Sequence, residues 1–381
     1  MRDLKVYSIY LGVFVGPLSG NAVLALIPSL KAAFGVDVGQ VLLSVPFFMF
    51  PFAFLQLFSG TLSDRYNRRR IVVIGFLIYA FGSFLCGMSN GITMFLISRA
   101  ILGTGFALVG PVLVAILGDI TSKRSRGRAM GFYGSAITAG IALGPLIAGF
   151  LAEMSWRYVF FVFSGLSLLA GGFFWTVFRG YPFQEKSGSF EDVLSQIRSV
   201  ISNRDVALLS LTGFLVFFAF ISVISFISDF LSLPPLLMRE HQIGMILASS
   251  GTAGIFASPF AGALVDRVGR KTTATYGFLI TAAVLLLLNF AGEFYAFVLL
   301  LFLFGCGTAF IWASLLTVSV EVIPDMRGTV SSVFNSARFF GYAFAPTVLL
   351  PVYNASGITV IYLVGTGIAI VCILIVRKIE C

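Results

Sequence analysis

Charge is scarce in this sequence. Only 11% of its 381 residues are Asp, Glu, Lys or Arg, where a soluble globular chain carries about 25%. An ordinary water-soluble domain is therefore excluded. Histidine is almost missing: His241 stands alone, without ligand-type neighbours in the sequence, and reads as a loop histidine. The four cysteines, Cys86, Cys306, Cys372 and Cys381, lie far apart with no CxxC spacing, which excludes a disulfide framework and a zinc site. There is no G-x-S-x-G turn and no metal-ligand spacing, so the sequence points away from an enzyme. There is also no GxxxxGK[ST] loop, and no loop is large enough for a nucleotide-binding domain. An ATP-driven pump is not expected, and neither is a cofactor.

What the chain has instead is long apolar runs. It is 58% hydrophobic, with 42 phenylalanines and a mean hydropathy of +1.01. A bilayer crossing takes about 20 mostly apolar residues. Read in that unit, the sequence gives twelve spans, at 7–30, 40–61, 71–89, 92–118, 129–152, 157–178, 206–231, 243–264, 272–290, 294–320, 329–352 and 357–376. The runs are continuous and do not alternate, so helices are expected and strands are not. The start, "MRDLKVYSIYLGVFVG", resembles a signal peptide. Its apolar stretch continues to Pro28 without a small-residue cleavage site, so it reads as a retained first span.

The net charge of +9 sits in short clusters between apolar runs, not along one face of a soluble domain. That pattern suits the anionic inner face of a membrane and not nucleic acid. With these spans, nearly all of the 25 lysines and arginines fall on one side. Only Lys31, Arg157 and Arg239 fall on the other, and Arg99 and Arg338 lie inside spans. The bias places both termini in the cytoplasm of a multi-pass plasma-membrane protein. The longest polar break, 179–205, carries Phe190, Val193, Leu194, Ile197, Val200 and Ile201 at helical spacing. It reads as an amphipathic surface helix linking two six-span bundles, 1–178 and 206–381.

The second bundle repeats the first. Gly60, Leu62, Asp64 and Arg65 recur as Gly262, Leu264, Asp266 and Arg267, and Gly103 and Gly105 recur as Gly305 and Gly307, at a constant offset of 202. Arg126-Gly127 recurs as Arg327-Gly328, and Gly140 and Pro145 recur as Gly341 and Pro346, at 201. Duplicated halves are the usual build of a secondary transporter. "GTLSDRYNRR" and "GALVDRVGRK" resemble the G-x-L-x-D-R-x-G-R-[RK] loop of the major facilitator superfamily, and the likeness runs the whole length of the chain. The expected fold is accordingly all-α: twelve transmembrane helices in two pseudo-symmetric six-helix bundles. Asn67 stands where the family has Gly, and Gly269 keeps it. Asn tolerates left-handed backbone, so the same turn is expected at both copies.

The resemblance carries roles with it. Asp64, beside Arg65 at the inner end of span two, would meet the positive N-terminal end of span eleven and latch the halves together. Arg68 would pair with Asp119 beside that latch, and Asp266, Arg267, Arg270 and Glu321 hold the duplicate positions. Arg69 and Arg70 read as topology signals. "SRAILGTGF" resembles the family's R-x-x-x-G-x-G element, with Arg99 and Gly103; the repeat has Leu301 in place of Arg99, so the architecture does not require the charge. Gly140, Gly144, Pro145 and Gly149 resemble the G-x-x-x-G-P-x-x-x-G signature of the antiporter branches, where small residues allow close helix contact.

Polar residues at mid-span mark the candidate cargo site. Ser331, Asn335, Arg338 and Tyr342 share one face of span eleven, with Arg338 roughly 14 Å deep at 1.5 Å per residue. Ser222, Ser225 and Asp229 share a face of span seven, and Asn21 and Trp312 are further candidates. Acids are few: Asp229 and Glu153 are the candidates for carrying a proton. The sequence thus points to a monomeric secondary transporter that exports small amphipathic compounds, of the proton-coupled multidrug efflux type. Two intramembrane arginines against at most one acid strain that reading. They favour an alternative, an organic-anion uptake carrier or exchanger using Arg338 and Arg99. A non-transporting membrane sensor is the remaining class.

Overall fold

The computed structural model describes residues 2–65, 67–122, 126–183 and 190–379. These residues are helical nearly throughout, because hydrocarbon offers the backbone no hydrogen bonds and each span must bond to itself. In chain order the helices are α1 (Arg2–Ala25), α2 (Ile27–Phe34), α3 (Val38–Leu42), α4 (Ser44–Arg65), α5 (Arg68–Met88), α6 (Ile92–Ile120) and α7 (Arg126–Ala152). They continue as α8 (Trp156–Val177), α9 (Phe190–Ile201), α10 (Arg204–Ser232), α11 (Glu240–Val268), α12 (Arg270–Leu287), α13 (Phe294–Glu321) and α14 (Arg327–Arg377).

Eleven of them, counting α3 with α4, contain a stretch long and apolar enough to cross a membrane. The twelfth crossing is inside α14. Its 51 residues would run about 77 Å at 1.5 Å per residue, more than twice a hydrocarbon core of about 30 Å. The run is broken at Gly357, whose φ of 71° and ψ of −168° leave the helix. The last two predicted spans therefore meet at one glycine with no loop between them. Phe334 and Ile373, on the two arms, pack in one cluster with Leu209 and Ile311, so the arms lie side by side.

The first predicted span is also interrupted. α1 stops at Ala25, and Pro28 opens α2 in its first turn, where a missing N–H costs nothing. Gly35, at φ 63°, ends α2, and the Asp37 carboxylate caps α3 by accepting from the Gln40 N–H at 2.9 Å. The expected left-handed turn at both copies of the duplicated loop is corrected here. Gly269 has φ 84°, but Asn67 has φ −56° and serves as the N-cap of α5, its side chain accepting from the Arg69 N–H at 3.1 Å. An amide side chain caps a helix well, so Asn67 fills the family's glycine position by capping.

The duplication is visible in the contacts. A Cβ on Gly103 would collide with the Phe48 carbonyl, and one on Gly305 would collide with the Ser250 carbonyl. Gly75 and Gly105 face each other as Gly277 and Gly307 do, and Gly140 and Gly341 press on the carbonyls of Phe14 and Phe214. Each half thus holds its helices together by the same backbone-to-glycine approaches. Between the halves, α4 lies against α14 and α7 against α11. α9 packs Val200 against Val206, Val330 and Val333 and leaves Leu194 and Ile201 exposed.

Gly103→Ala or Gly305→Ala should cost about 1–3 kcal/mol by overpacking. Thermal unfolding of the purified protein in detergent should show a lowered midpoint for both. Gly131→Ala, which enters open space, should leave it unlowered; equal midpoints for all three would contradict the packing described.

Candidate functional site

Arg99 is fully buried in α6. Its Nε donates to the Ser44 carbonyl at 3.2 Å and an Nη donates to the Ser19 carbonyl at 3.1 Å, while its guanidinium lies 4.6 Å from the centre of the Phe48 ring. Ser19 lies within α1 and Ser44 opens α4 just past the break at Leu43, so Arg99 pins α1 and the α3–α4 joint to α6. It neither snorkels nor faces open space.

Arg338 on α14 is held differently. It stays part-exposed, and three rings surround it: Trp312 at 4.0 Å, Phe339 at 4.3 Å and Phe217 at 4.9 Å. Its buried Nε has no partner, and no hydrogen bond or ion pair reaches its other nitrogens among the described residues. Ring faces offset a cation by about 2 kcal/mol when it is desolvated, while taking it out of water costs several. Arg338 is left under-compensated. The rings continue across the midline: Phe339 packs edge-on to Phe52 at 4.7 Å, and Phe52 stacks on Phe106 at 5.2 Å. Trp312 stacks on Phe334 at 5.9 Å. Asn335 is half-buried nearby, and Ser225 is buried with its hydroxyl unpartnered.

Next to this aromatic cluster the halves are joined by polar bonds. Tyr342 donates to Asn21 Oδ1 at 3.1 Å, and Ser336 donates to the Ala53 carbonyl at 2.8 Å. Farther along, at the end of the bundle opposite the termini, the ties become charged. Lys31 on α2 pairs with Asp229 on α10 at 2.6 Å, and Tyr353 donates to the other Asp229 oxygen at 3.0 Å. Only 3% of the Asp229 side chain is exposed, against 26% of Lys31. Ser29 donates to Glu240 at 2.7 Å, Ser228 to the Leu24 carbonyl, and His241 Nδ1 meets Glu153 Oε1. His241 is thus no isolated loop residue: it opens α11, lies over Phe150 and contacts a carboxylate of the other half. This end of the bundle is closed.

Of the two sequence candidates for a proton carrier, Asp229 and Glu153 both lie in these ties. Lys31, Glu240, His241 and Tyr353 were not singled out by the sequence. Lys31 and Asp229 are 198 residues apart, and only the presence of a base among so few on its side hinted at it.

The span-five signature divides its work. Gly140 and Gly144 press on the carbonyls of Phe14 and Leu18 in α1, within the first half. Gly149 presses on the Glu240 carbonyl, and Gly244 presses on the Pro145 carbonyl, across the halves. Gly251 meets the Ala142 backbone one turn on. The α7–α11 seam is therefore backbone against backbone.

At the end carrying the termini, two ion pairs among the described residues each lie within one half. Arg68 pairs with Asp119, and Arg270 pairs with Glu321 at the duplicate positions. Arg69 lies 3.4 Å over the Trp175 ring and donates to the Trp175 carbonyl at 2.9 Å. Asp64 and Arg65 close α4, and their side chains lie outside the described residues. Asp266 and Arg267 are exposed at the end of α11.

Two duplicated six-span bundles meeting over a cluster of aromatic rings around Arg338 make a multi-pass helical membrane protein. The Major Facilitator Superfamily model matches residues 9–238 and 230–379, and the chain belongs to that family of transporters. It is 21% identical to the quinolone resistance protein NorA of Staphylococcus aureus (strain COL), over 98% of this chain and 96% of that protein. It is 24% identical to the riboflavin transporter RibZ of Clostridioides difficile (strain 630), over 88% and 84%. Among solved structures, a bacterial homologue of the human lysosomal transporter Spinster, inward-facing and unoccupied, superposes with a TM-score of 0.76 at 16% identity, covering 99% of this chain and 95% of that one.

Removing one partner of a buried ion pair costs on the order of 3 kcal/mol, so Asp229→Asn or Lys31→Ala should loosen the closed end. With the native cysteines changed to serine, a cysteine at Asn21 should react faster with an impermeant maleimide applied at that end. An unchanged labelling rate in both variants would show that the pair does not hold it shut.

Proposed function

We propose that the protein exports small amphipathic compounds across the plasma membrane in exchange for protons. The two bundles, 1–178 and 206–381, rock about the midplane chamber as a monomer, joined through 179–205, with both termini in the cytoplasm. The observation that carries the reading is the uneven distribution of ties. Charged side chains join the halves at the end opposite the termini, while the Arg68–Asp119 and Arg270–Glu321 pairs at the terminal end each lie inside one half. Such an arrangement suits a carrier closed to the outside. The relatives' names support the class of cargo: one is a resistance protein, the other a transporter of a small organic compound.

In this reading Asp229 is the first choice for the coupling carboxylate and Glu153 the second. Each meets a basic group of the opposite half, and a proton can take the place of Lys31 at Asp229 once the halves part. Asp64 with Arg65 latches the cytoplasmic end when it closes, steadied by the Arg68–Asp119 pair, with Asp266, Arg267, Arg270 and Glu321 as the second copy. Arg338 favours a second reading, anion uptake or exchange, because no acid balances it among the described residues.

Reconstituted vesicles with an imposed proton gradient separate the two. Export predicts cargo flux accelerated several-fold by the gradient and reduced to the ungradiented rate by Asp229→Asn. Flux driven only by anion on the opposite side, and indifferent to the gradient, favours the exchanger. Absence of acceleration for every cargo sinks the antiport claim.

A further inference from the structure

Arg99 and Arg338 are the two arginines inside spans, and the structure separates them. Backbone carbonyls take the Nε and one Nη of Arg99, its other Nη is buried without a partner, and the surrounding helices seal it off from any cargo. Arg338 has no acceptor, keeps part of its surface open and stands among rings that offer only their faces. A guanidinium donates through a planar fork that two oxygens of one carboxylate fit side by side. Cation–π contact leaves those N–H donors unspent, and burial penalises leaving them so. The missing partner is an acceptor, and its natural source is the cargo.

The rings set the rest of the molecule. Trp312, Phe217 and Phe339 wall the guanidinium, and Phe52 and Phe106 carry the aromatic lining over to the first half. Phe52 and Phe106 stack on each other within 11° of parallel and back the Phe339 ring that faces Arg338. A cation would meet Arg338 head-on. A dianion would bring more charge than this one open guanidinium neutralises.

We propose that Arg338 is the anion anchor of a cargo site for planar aromatic monocarboxylates. The carboxylate pairs with the Arg338 fork, and the ring system lies against the rings of Trp312, Phe217 and Phe339 that surround it. The proposal rests on the transport reading in taking the Arg338 surroundings between the halves as the cargo site, and it narrows "amphipathic" to one charge and one shape.

Calorimetric titration of the full-length protein in lipid nanodiscs tests it with 2-naphthoate, 2-naphthamide, 2-naphthylmethylammonium and cyclohexanecarboxylate. Naphthoate should bind at least about tenfold more tightly than each of the others, the effect expected from one charge-assisted pair plus stacking. Arg338→Gln should abolish the preference for naphthoate over naphthamide while naphthamide still binds, and Arg338→Lys should restore part of it. Naphthoate that does not bind, an amide or ammonium that binds as tightly, or a preference that survives Arg338→Gln overturns the proposal. The wild-type ranking decides alone should the variants not fold. Correct ranking without flux in vesicles overturns the transport reading and leaves the anchor standing. Flux of neutral or cationic compounds without a naphthoate preference does the reverse.

Discussion

A charge within the bilayer must find its compensation inside the protein, and much of this structure follows from how that is done. Asp229 is neutralised by Lys31 from the other half, so its compensation doubles as a tie between bundles. Arg99 draws on the backbone carbonyls of Ser19 and Ser44, so its compensation fixes three helices of one bundle. Arg338 draws only on rings and remains short of acceptors. The three solutions correspond to three jobs: closing, bracing and receiving. Arg68–Asp119 and Arg270–Glu321 do at the terminal end, within each half, what Lys31–Asp229 does between halves at the other.

The duplication explains which of these features are architecture. Contacts present in both halves, such as Gly103 on Phe48 and Gly305 on Ser250, belong to the bundle itself. Features present once depart from it. Arg99 has Leu301 as its counterpart, and Arg338 has Ile137 at the 201 offset. The two asymmetric arginines mark where two halves of common origin have acquired different tasks, one bracing the first bundle and one left open between the halves.

Much of the fold was legible in the sequence because hydrocarbon imposes it. Long apolar runs, basic loops and a constant offset gave the helical class and the span positions. The joint between the last two spans was less legible, since a single glycine with positive φ leaves no polar loop to read. Asn67 misled for a related reason: its residue type suits both a left-handed turn and an N-cap, and only backbone angles decide. At the site, Arg338 and Asp229 stood out because charge is rare in a span. Their surroundings did not. Pairing Lys31 with Asp229, or His241 with Glu153, requires the two bundles to be docked, and no local pattern encodes a partner in the opposite half. Nor did the sequence distinguish the two arginines, because the acceptors of Arg99 are backbone oxygens that every residue carries.

The α7–α11 seam has one more consequence. Gly149, Gly244 and Gly251 bring backbone to backbone, and the side chains that enter the seam there, Ala142 and Thr138, are small. Two such surfaces need little side-chain rearrangement to turn on each other, so the seam works as a plain bearing: it keeps the axis and offers little friction. Resistance to turning then comes from the polar bonds at the ends, which puts the timing of the cycle under the control of a few hydrogen bonds and ion pairs.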